Sequence, residues 1–238
     1  MILSKHTMNV LKNFSTINPN FIIEPGNRLA TVSNSKNIFV EAYVEEEFPY
    51  EFVFYDLTDF LTNFSLFDNP DIEFTENQIY IRENNNVATF GCGEKDVVFN
   101  SNNNAKVLDY IREKKDKIED IYTQFSLSEA YISQLKKRGN IMNGSHLVIE
   151  GKNGKLSTII TKPSEPNTNK FITEICDTDK EFSINIKLDN IKLIPENYDV
   201  NIAKFKGGNA FFFVAKGVEL RYLFSIHSDY MSYLYDNF

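Results

Sequence analysis

An internal repeat limits what this chain of 238 residues can fold into. Residues 3–17 align without a gap with residues 127–141, at an offset of 127 − 3 = 124 positions. A repeat at this spacing predicts two similar domains of about a hundred residues each. The aligned positions hold identical residues at Leu3 and Leu127, Ser4 and Ser128, Leu11 and Leu135, Lys12 and Lys136, and Ile17 and Ile141.

A second pairing follows in each half, at the slightly longer offset of 188 − 57 = 131 positions. Tyr55-Asp56-Leu57 with Phe60 corresponds to Ile186-Lys187-Leu188 with Ile191. A strand-like stretch precedes each segment, at residues 52–54 in the first half and 182–184 in the second. Both halves therefore present the same features in the same order.

The join between the halves is expected between about Asn100 and Glu119, where an Asn-rich segment leads into a charged run. Such a composition is typical of a solvated connector, with room for a helical turn. We therefore expect an N-terminal domain of residues 1–100, an interdomain connector of residues 101–118 and a C-terminal domain of residues 119–238.

Each half begins with a predicted helix, at residues 4–15 and near residues 128–138, and Ser4 is a plausible N-cap. At about 100° per residue, one side of the first helix is apolar. Its opposite side carries a narrow polar stripe: Lys5, Asn9, Lys12 and Thr16. The equivalent stripe of the second helix holds Glu129, Ser133, Lys136 and Asn140, with Lys137 and Arg138 beside it.

The remaining pattern predicts mostly strands, separated by Pro, Gly, Asn and Ser turns. In the first half we expect strands at 21–24, 29–33 and 38–44, a short helix at 56–64, and more strands to Phe99. In the second half we expect strands at 146–150 and 156–162, a short helix near 188–194, and strands to Ile226. Two helices among antiparallel strands, twice, define an α+β fold.

The formal net charge of −8 argues against nucleic acid as a partner. Lysines on the outer face of an amphipathic helix are commonly a solvated surface and nothing more. However, Glu45-Glu46-Glu47 and the Asp68–Asp71 turn are acidic, whereas the repeated helices keep their cations. The alternative is therefore a segregated field, in which one surface attracts phosphate while the rest repels it.

The familiar catalytic and cofactor motifs are not matched. Gly151–Lys155 lacks the spacing of a phosphate loop and predicts a hairpin turn, and Gly91-Cys92-Gly93 lacks the third glycine of a dinucleotide site. Three histidines (His6, His146 and His227) and two distant cysteines (Cys92 and Cys176) have no metal-ligand spacing. We expect no enzyme, no cofactor and no metal, in a reducing compartment. No secretion signal or membrane-spanning run is expected either.

Three clusters of residues resemble one known family. Leu3-Ser4-Lys5, Leu11–Phe14 and Thr16-Ile17-Asn18 closely resemble the N-terminal helix of the sliding clamp of T4-like bacteriophages. The family's second helix is similar to Tyr55-Asp56-Leu57, Phe60-Leu61 and Ser65-Leu66. Pro195 with Asn197-Tyr198 resembles the turn that enters a late strand of its second domain.

The resemblance implies a non-catalytic processivity factor for DNA replication. Its subunits would contain two domains of DNA-clamp topology, each with two helices packed on antiparallel sheets. Three subunits would join head to tail into a closed ring around double-stranded DNA of any sequence. The implied partners are the phage DNA polymerase, an ATP-dependent clamp loader and late transcription factors, in the cytoplasm of the infected bacterial host.

The resemblance also implies roles for particular residues. The striped helices would line the hole and direct Lys5, Lys12 and Lys136 toward phosphates, with Lys137, Arg138 and Lys192 as further DNA-facing residues. A partner peptide would occupy an apolar pocket near the connector, where Val107, Leu108 and Ile111 are the available apolar residues.

The chain departs from the family pattern in two segments. Residues 101–120 are more charged than expected, and Tyr230–Phe238 is longer and more aromatic. That last segment is compatible with a partner-like tail, a strand extension or part of a subunit interface. A phage structural or scaffold ring protein is the alternative function, since β-rich duplicated domains also build such rings, but it leaves the lysine stripe unexplained.

Overall fold

The computed structural model describes residues 1–95, 98, 118–165, 169–205 and 208–226. These residues divide into two compact units. The first comprises the described residues before position 99 together with Val218–Arg221, and the second comprises the rest. The expected connector of residues 101–118 lies outside the described residues, apart from Ile118, where a strand begins.

The first unit has two helices, α1 (Lys5–Ile17) and α2 (Leu57–Phe64). Three antiparallel groups of strands accompany them: β1 with β4, β2 with β3, and a sheet in the order β5-β6-β7. The strands are β1 (Phe21–Ile23), β2 (Gly26–Val32), β3 (Ile38–Phe48), β4 (Phe52–Phe54), β5 (Asp71–Phe74), β6 (Gln78–Glu83) and β7 (Asn86–Gly91).

Aromatic side chains hold the helices of the first unit to its strands. The ring of Phe14 in α1 meets that of Phe21 in β1 with centroids 5.8 Å apart, and Phe54 in β4 meets Phe60 in α2 at 5.1 Å. All four rings are buried. Each such pair adds about 0.5–1.5 kcal/mol to the burial of its apolar area.

A buried carboxylate lies on β3 of the same unit. Glu41 is only 3% exposed, and its Oε2 accepts a hydrogen bond from Nε of Arg28 in β2 at 3.1 Å, while Nη2 of the same guanidinium lies 3.0 Å from that oxygen in an ion pair. Nη1 of Arg221 lies 3.6 Å from the other carboxylate oxygen. Arginine forms such forked contacts readily because its guanidinium is planar and always charged.

The second unit has one α-helix, α3 (Glu129–Met142), and a short 3-10 helix, Leu188–Asn190. One sheet has the order β11-β10-β9-β12, while β8, β13 and β14 form another, with β15 beside β14. The strands are β8 (Ile118–Leu127), β9 (His146–Lys152), β10 (Lys155–Thr161), β11 (Phe171–Asp177), β12 (Phe182–Lys187), β13 (Tyr198–Phe205), β14 (Gly208–Ala215) and β15 (Leu220–Ile226).

The hairpin predicted at residues 151–155 is confirmed. Lys152 pairs with Lys155, and the two residues between them, Asn153 and Gly154, have φ values of 52° and 80°. Positive φ at both central positions defines the turn that matches the twist of a hairpin, and Asn-Gly is the dipeptide that adopts it most easily. The segment therefore belongs to a sheet and not to a phosphate site.

The prediction of a short helix near residues 188–194 is wrong. Only a 3-10 turn over Leu188–Asn190 forms there, whereas its counterpart α2 runs for eight residues. Asp56 caps α2 by accepting a hydrogen bond from the N–H of Thr58 at 2.7 Å. Lys187 stands at the equivalent position and makes no side-chain cap, because an ammonium group cannot accept. Pro195 further disfavours helical backbone at the preceding residue.

Candidate nucleic-acid interface

The polar stripe of α1 is exposed to solvent. Ser4 caps the helix, its Oγ accepting a hydrogen bond from the N–H of Thr7 at 3.2 Å. The opposite side packs into the first unit through buried Thr7, Val10, Leu11, Phe14 and Ile17. Helix periodicity then leaves the whole stripe on the outside, and each of its members is exposed: Lys5, Asn9, Lys12 and Thr16.

Helix α3 repeats this arrangement in the second unit. It begins at Glu129, which is 129 − 5 = 124 positions after the start of α1, and Ser128 Oγ accepts from the N–H of Tyr131 at 3.2 Å. Asn197 adds a second cap, because its Oδ1 accepts from the N–H of Glu129 at 3.1 Å. The exposed residues of the stripe are Glu129, Ser133, Lys136 and Asn140.

Both helices are positive within a chain of net charge −8. Helix α1 contains Lys5 and Lys12 and no carboxylate, while α3 sets three cations against Glu129. Such segregation lets a protein with excess negative charge present a surface that attracts phosphate.

Arg138 is positioned differently from the neighbouring lysines. Its guanidinium carbon lies 4.7 Å from the ring centre of Phe171 and 5.6 Å from that of Tyr131, and Nη2 donates to Gln134 Oε1 at 2.8 Å. Tyr131 is itself held inside the unit by a 2.7 Å hydrogen bond to Thr158 Oγ1. Arg138 therefore packs along its own unit, whereas Lys136 and Lys137 extend into solvent.

Lys192 lies beside the stripe of α3. Burial and the positive charge of Lys136 lower the pKa of Lys192, and Asp189 partly opposes this shift. The closeness depends on Gly139, since a Cβ at that position would lie 2.6 Å from Leu188 Cδ1. A glycine in α3 thus allows the 3-10 turn and the segment after it to approach the helix.

Lys187 is a basic residue of this region that the sequence reasoning missed. It is exposed and pairs in register with His146 at the ends of β12 and β9. Burial and the charge of Lys187 lower the pKa of His146, so this imidazole favours its neutral form. The 131-residue offset contained the signal, because it aligns Lys187 with Asp56 and reverses the charge at that position.

Glu46 anchors the first turn of α1. Burial alone would raise the pKa of the Glu46 carboxyl. Hydrogen bonds from the Thr7 hydroxyl and the Ser4 N–H hold this pKa below its usual value. A carboxylate at the start of a helix also interacts favourably with the helix dipole. The acidic run of residues 45–47 is therefore only partly an outer surface, since Glu46 belongs to the base of the striped helix.

We expect Glu46→Gln to lower the free energy of unfolding by about 1 kcal/mol at neutral pH. Because the folded-state pKa is depressed, the contribution of Glu46 is complete above the ordinary glutamate pKa of about 4.3 and disappears as pH falls through the folded value. Urea unfolding from pH 7 to 3 should show the two proteins converging in acid. Glu45→Gln, an exposed neighbour, is the control, and a constant difference at every pH would contradict the assignment.

The remaining sequence predictions concern a peptide pocket, the C-terminal segment, metal binding and membrane spans. Val107, Leu108 and Ile111, proposed for a peptide pocket, lie outside the described residues, as does Tyr230–Phe238. Within the described residues, no group of three or more His, Cys, Asp and Glu side chains could hold a metal ion. Each helix in the described part of the chain is too short or too polar to span a bilayer.

The chain is similar to known replication proteins. Residues 4–108 match the family described as DNA polymerase processivity factor. The sliding clamp of Vibrio phage KVP40 is 26% identical over 229 residues, which cover 90% of this chain and 98% of that protein. The sliding clamp of Enterobacteria phage T4 is 26% identical over 235 residues, covering 96% and 98%.

A solved structure has the same fold. The A. fulgidus PCNA, determined with the C-terminal region of FEN-1 bound, superposes with a TM-score of 0.63 over 95% of this chain and 97% of that one. At 7% sequence identity this likeness shows the fold alone, and it confirms the expected clamp topology. Sequence and fold together confirm the resemblance of this chain to the sliding clamps of T4-like bacteriophages, which are non-catalytic DNA polymerase processivity factors.

Proposed function

We propose that three copies of this protein join head to tail into a ring around double-stranded DNA and tether the phage DNA polymerase to its template. The repeated basic stripe is the observation that supports this most. An exposed lysine recurs 124 positions apart, as Lys12 and Lys136, on two helices that begin at equivalent residues. One polypeptide thus presents two similar phosphate-attracting faces, and three copies would present six.

In this mechanism the topology retains the DNA while the lysines allow it to slide. A closed ring needs no tight contact to stay on a duplex. Contacts of Lys5, Lys12, Lys136 and Lys137 to phosphate carry no sequence information, so the ring is free to move along the DNA. Such attraction weakens as salt rises, because binding releases counterions. Arg138 contributes less, since its guanidinium already packs on Phe171 and Tyr131.

The described sheets offer edges that suit a head-to-tail ring. In the described residues, β7 pairs only with β6, and β11 only with β10. Val87 of β7 and Ile172 of β11 are each 58% exposed, and neither strand contains Lys, Arg or Pro. Lysine and proline are common protections of such edges, so edges without them favour pairing with another chain, although β11 does carry the carboxylates of Glu174 and Asp177. One edge lies in each unit, as a head-to-tail contact requires.

The family resemblance extends the proposal to further partners. An ATP-dependent clamp loader would open the ring, and late transcription factors would use the loaded ring as a mobile activator. All of this would occur in the cytoplasm of the infected bacterial host. A peptide from the polymerase would bind near Val107, Leu108 and Ile111, which gives those residues a role that mutation can test.

Primer extension on a singly primed circular template tests the function. With the cognate polymerase, loader and ATP, adding this protein should lengthen the products of single binding events, and omitting the loader should abolish the gain. The mass in solution should correspond to three chains of 27.5 kDa. A stable monomer at high concentration would remove the ring, while an intact trimer that never lengthens products would instead favour a scaffold protein.

A further inference from the structure

We infer that the ring holds DNA chiefly through its second units, at a phosphate site formed by Lys136 and Lys192. Each subunit would then have one main DNA contact instead of one in each of its two domains. This inference rests on the proposed function, because it assumes that DNA faces the striped helices. It goes further by assigning the two domains unequal shares of the contact.

The backbone around Lys192 is fixed from the side of α3. Leu188 is buried, and its Cδ1 fills the space left by the missing side chain of Gly139. Its N–H donates to the carbonyl of Ser145 at 3.0 Å, just after α3 ends. Lys136 lies one turn before Gly139 in the helix, and Lys192 follows Leu188 by four residues. The close approach therefore brings two basic residues from separate elements together.

Two buried tyrosines fix the same segment from its other end. The hydroxyl of Tyr198 donates to the carbonyl of Ile194 at 2.7 Å, and the hydroxyl of Tyr222 accepts from the N–H of Ile194 at 3.2 Å. Burial raises the pKa of both phenols, so both hydroxyls stay protonated. Ile194, two residues after Lys192, has both backbone groups bound in this way. The lysine therefore sits on a rigid support, which reduces the entropy that binding would cost.

In the free protein, the closeness of the Lys136 and Lys192 ammonium groups is electrostatically unfavourable. Burial and the charge of Lys136 destabilise the protonated form of Lys192, which is why its pKa falls, and Asp189 relieves only part of this. A phosphate group near both cations would remove the repulsion and gain two charge-assisted hydrogen bonds. Lys187, exposed just before the 3-10 turn, adds a second positive charge to the segment that contains Lys192.

The first unit has no lysine at the two positions that correspond to Lys187 and Lys192. At the 131-residue offset, Asp56 takes the place of Lys187 and buried Leu61 takes the place of Lys192. Helix α2 contains no cation and carries Asp59 in its first turn. The stripe of α1 therefore has an acidic neighbouring helix, whereas the stripe of α3 has a basic neighbouring segment. The two domains share one fold, but a phosphate group near each of them would therefore experience electrostatic fields of unequal strength.

The test compares two charge-matched variants. Lys136→Glu with Lys192→Glu and Lys5→Glu with Lys12→Glu each replace two positive charges by two negative ones in every subunit. Rings are loaded on nicked circular DNA, the loader is removed, and dissociation rates are measured between about 50 and 200 mM salt. We expect the second-unit pair to shorten residence on the order of tenfold at low salt and to flatten the salt dependence, and the first-unit pair to change residence about twofold.

Controls separate charge from folding and from the function itself. Lys136→Arg with Lys192→Arg should retain residence, while Lys136→Gln with Lys192→Gln should lose part of it, and all variants should keep the mass of the unaltered protein. Equal effects of the two Glu pairs, or a larger effect of the first-unit pair, would overturn the inference. So would unaltered residence in both, provided that the unaltered protein still supports processive synthesis. Failure of the unaltered protein in primer extension would instead remove the proposed function.

Discussion

A lysine on β7 and another on β11, the two sheet edges without a neighbour among the described residues, are expected to convert the proposed trimer into single subunits. In Val87→Lys with Ile172→Lys, the proposed contact between β7 of one copy and β11 of the next would have a lysine on each side. Like charges opposite each other destabilise strand pairing, and lysine is the residue that natural edges use against it. The mass in solution should fall from about 3 × 27.5 = 82.5 kDa to 27.5 kDa, as measured by light scattering or sedimentation.

The charge pattern itself supplies the control. Val87→Lys with Ile172→Glu places opposite charges at the same two positions and should keep more of the trimer than the double lysine variant. Leu66→Lys changes an even more exposed apolar residue that belongs to neither edge and should leave the mass unaltered. If the double lysine variant remains a trimer at micromolar concentration, these two strands do not form the subunit interface.

Glu41→Gln is expected to be the most damaging conservative substitution in the first unit. The amide keeps the shape of the side chain but loses the charge that faces Arg28 at 3.0 Å and Arg221 at 3.6 Å. Removing one partner of a buried ion pair typically costs about 3–5 kcal/mol, because the remaining charge stays desolvated. Since Arg221 is about half exposed, we place this loss near the lower bound, at about 3 kcal/mol.

Amide hydrogen exchange in β2 and β3 measures this loss in the unit where it occurs, whereas whole-chain unfolding would mix the two units. Glu47→Gln, exposed on the same strand, should leave exchange almost unaltered. Adding Arg28→Met to Glu41→Gln should recover part of the stability, because it removes a cation that faced the lost carboxylate. Exchange that is as slow in Glu41→Gln as in the control would show that the buried pair contributes little.

The parts of the fold that could be predicted are those encoded by neighbouring residues. Ser4 and Ser128 cap helices that begin 124 positions apart, and the apolar spacing after each one defines which side is buried. Capping and periodicity act within a few residues, so both helices and both stripes could be predicted from the sequence. The Asn153-Gly154 turn is a local feature of the same kind.

The parts that could not be predicted depend on residues far apart in the chain. Lys187 gives no helix cap, and the segment after it bends toward α3 because Gly139 leaves room for Leu188. That contact determines the position of Lys192 beside Lys136. Glu46 likewise resembled a solvated acid until the hydroxyl of Thr7, 39 positions away, proved to be its partner.

The sequence by itself determined that this protein has two similar halves, each opening on a helix with a basic outer stripe, and the resemblance of those helices indicated a sliding clamp. Only the tertiary structure decided which lysines lie near each other. A helix wheel assigns a side chain to one face of a helix from local geometry. The electrostatic field at that face depends on all the charges that folding brings close to it. Lys136 therefore gains Lys192 as a neighbour, whereas the stripe of α1 lies in the same unit as the acidic helix α2.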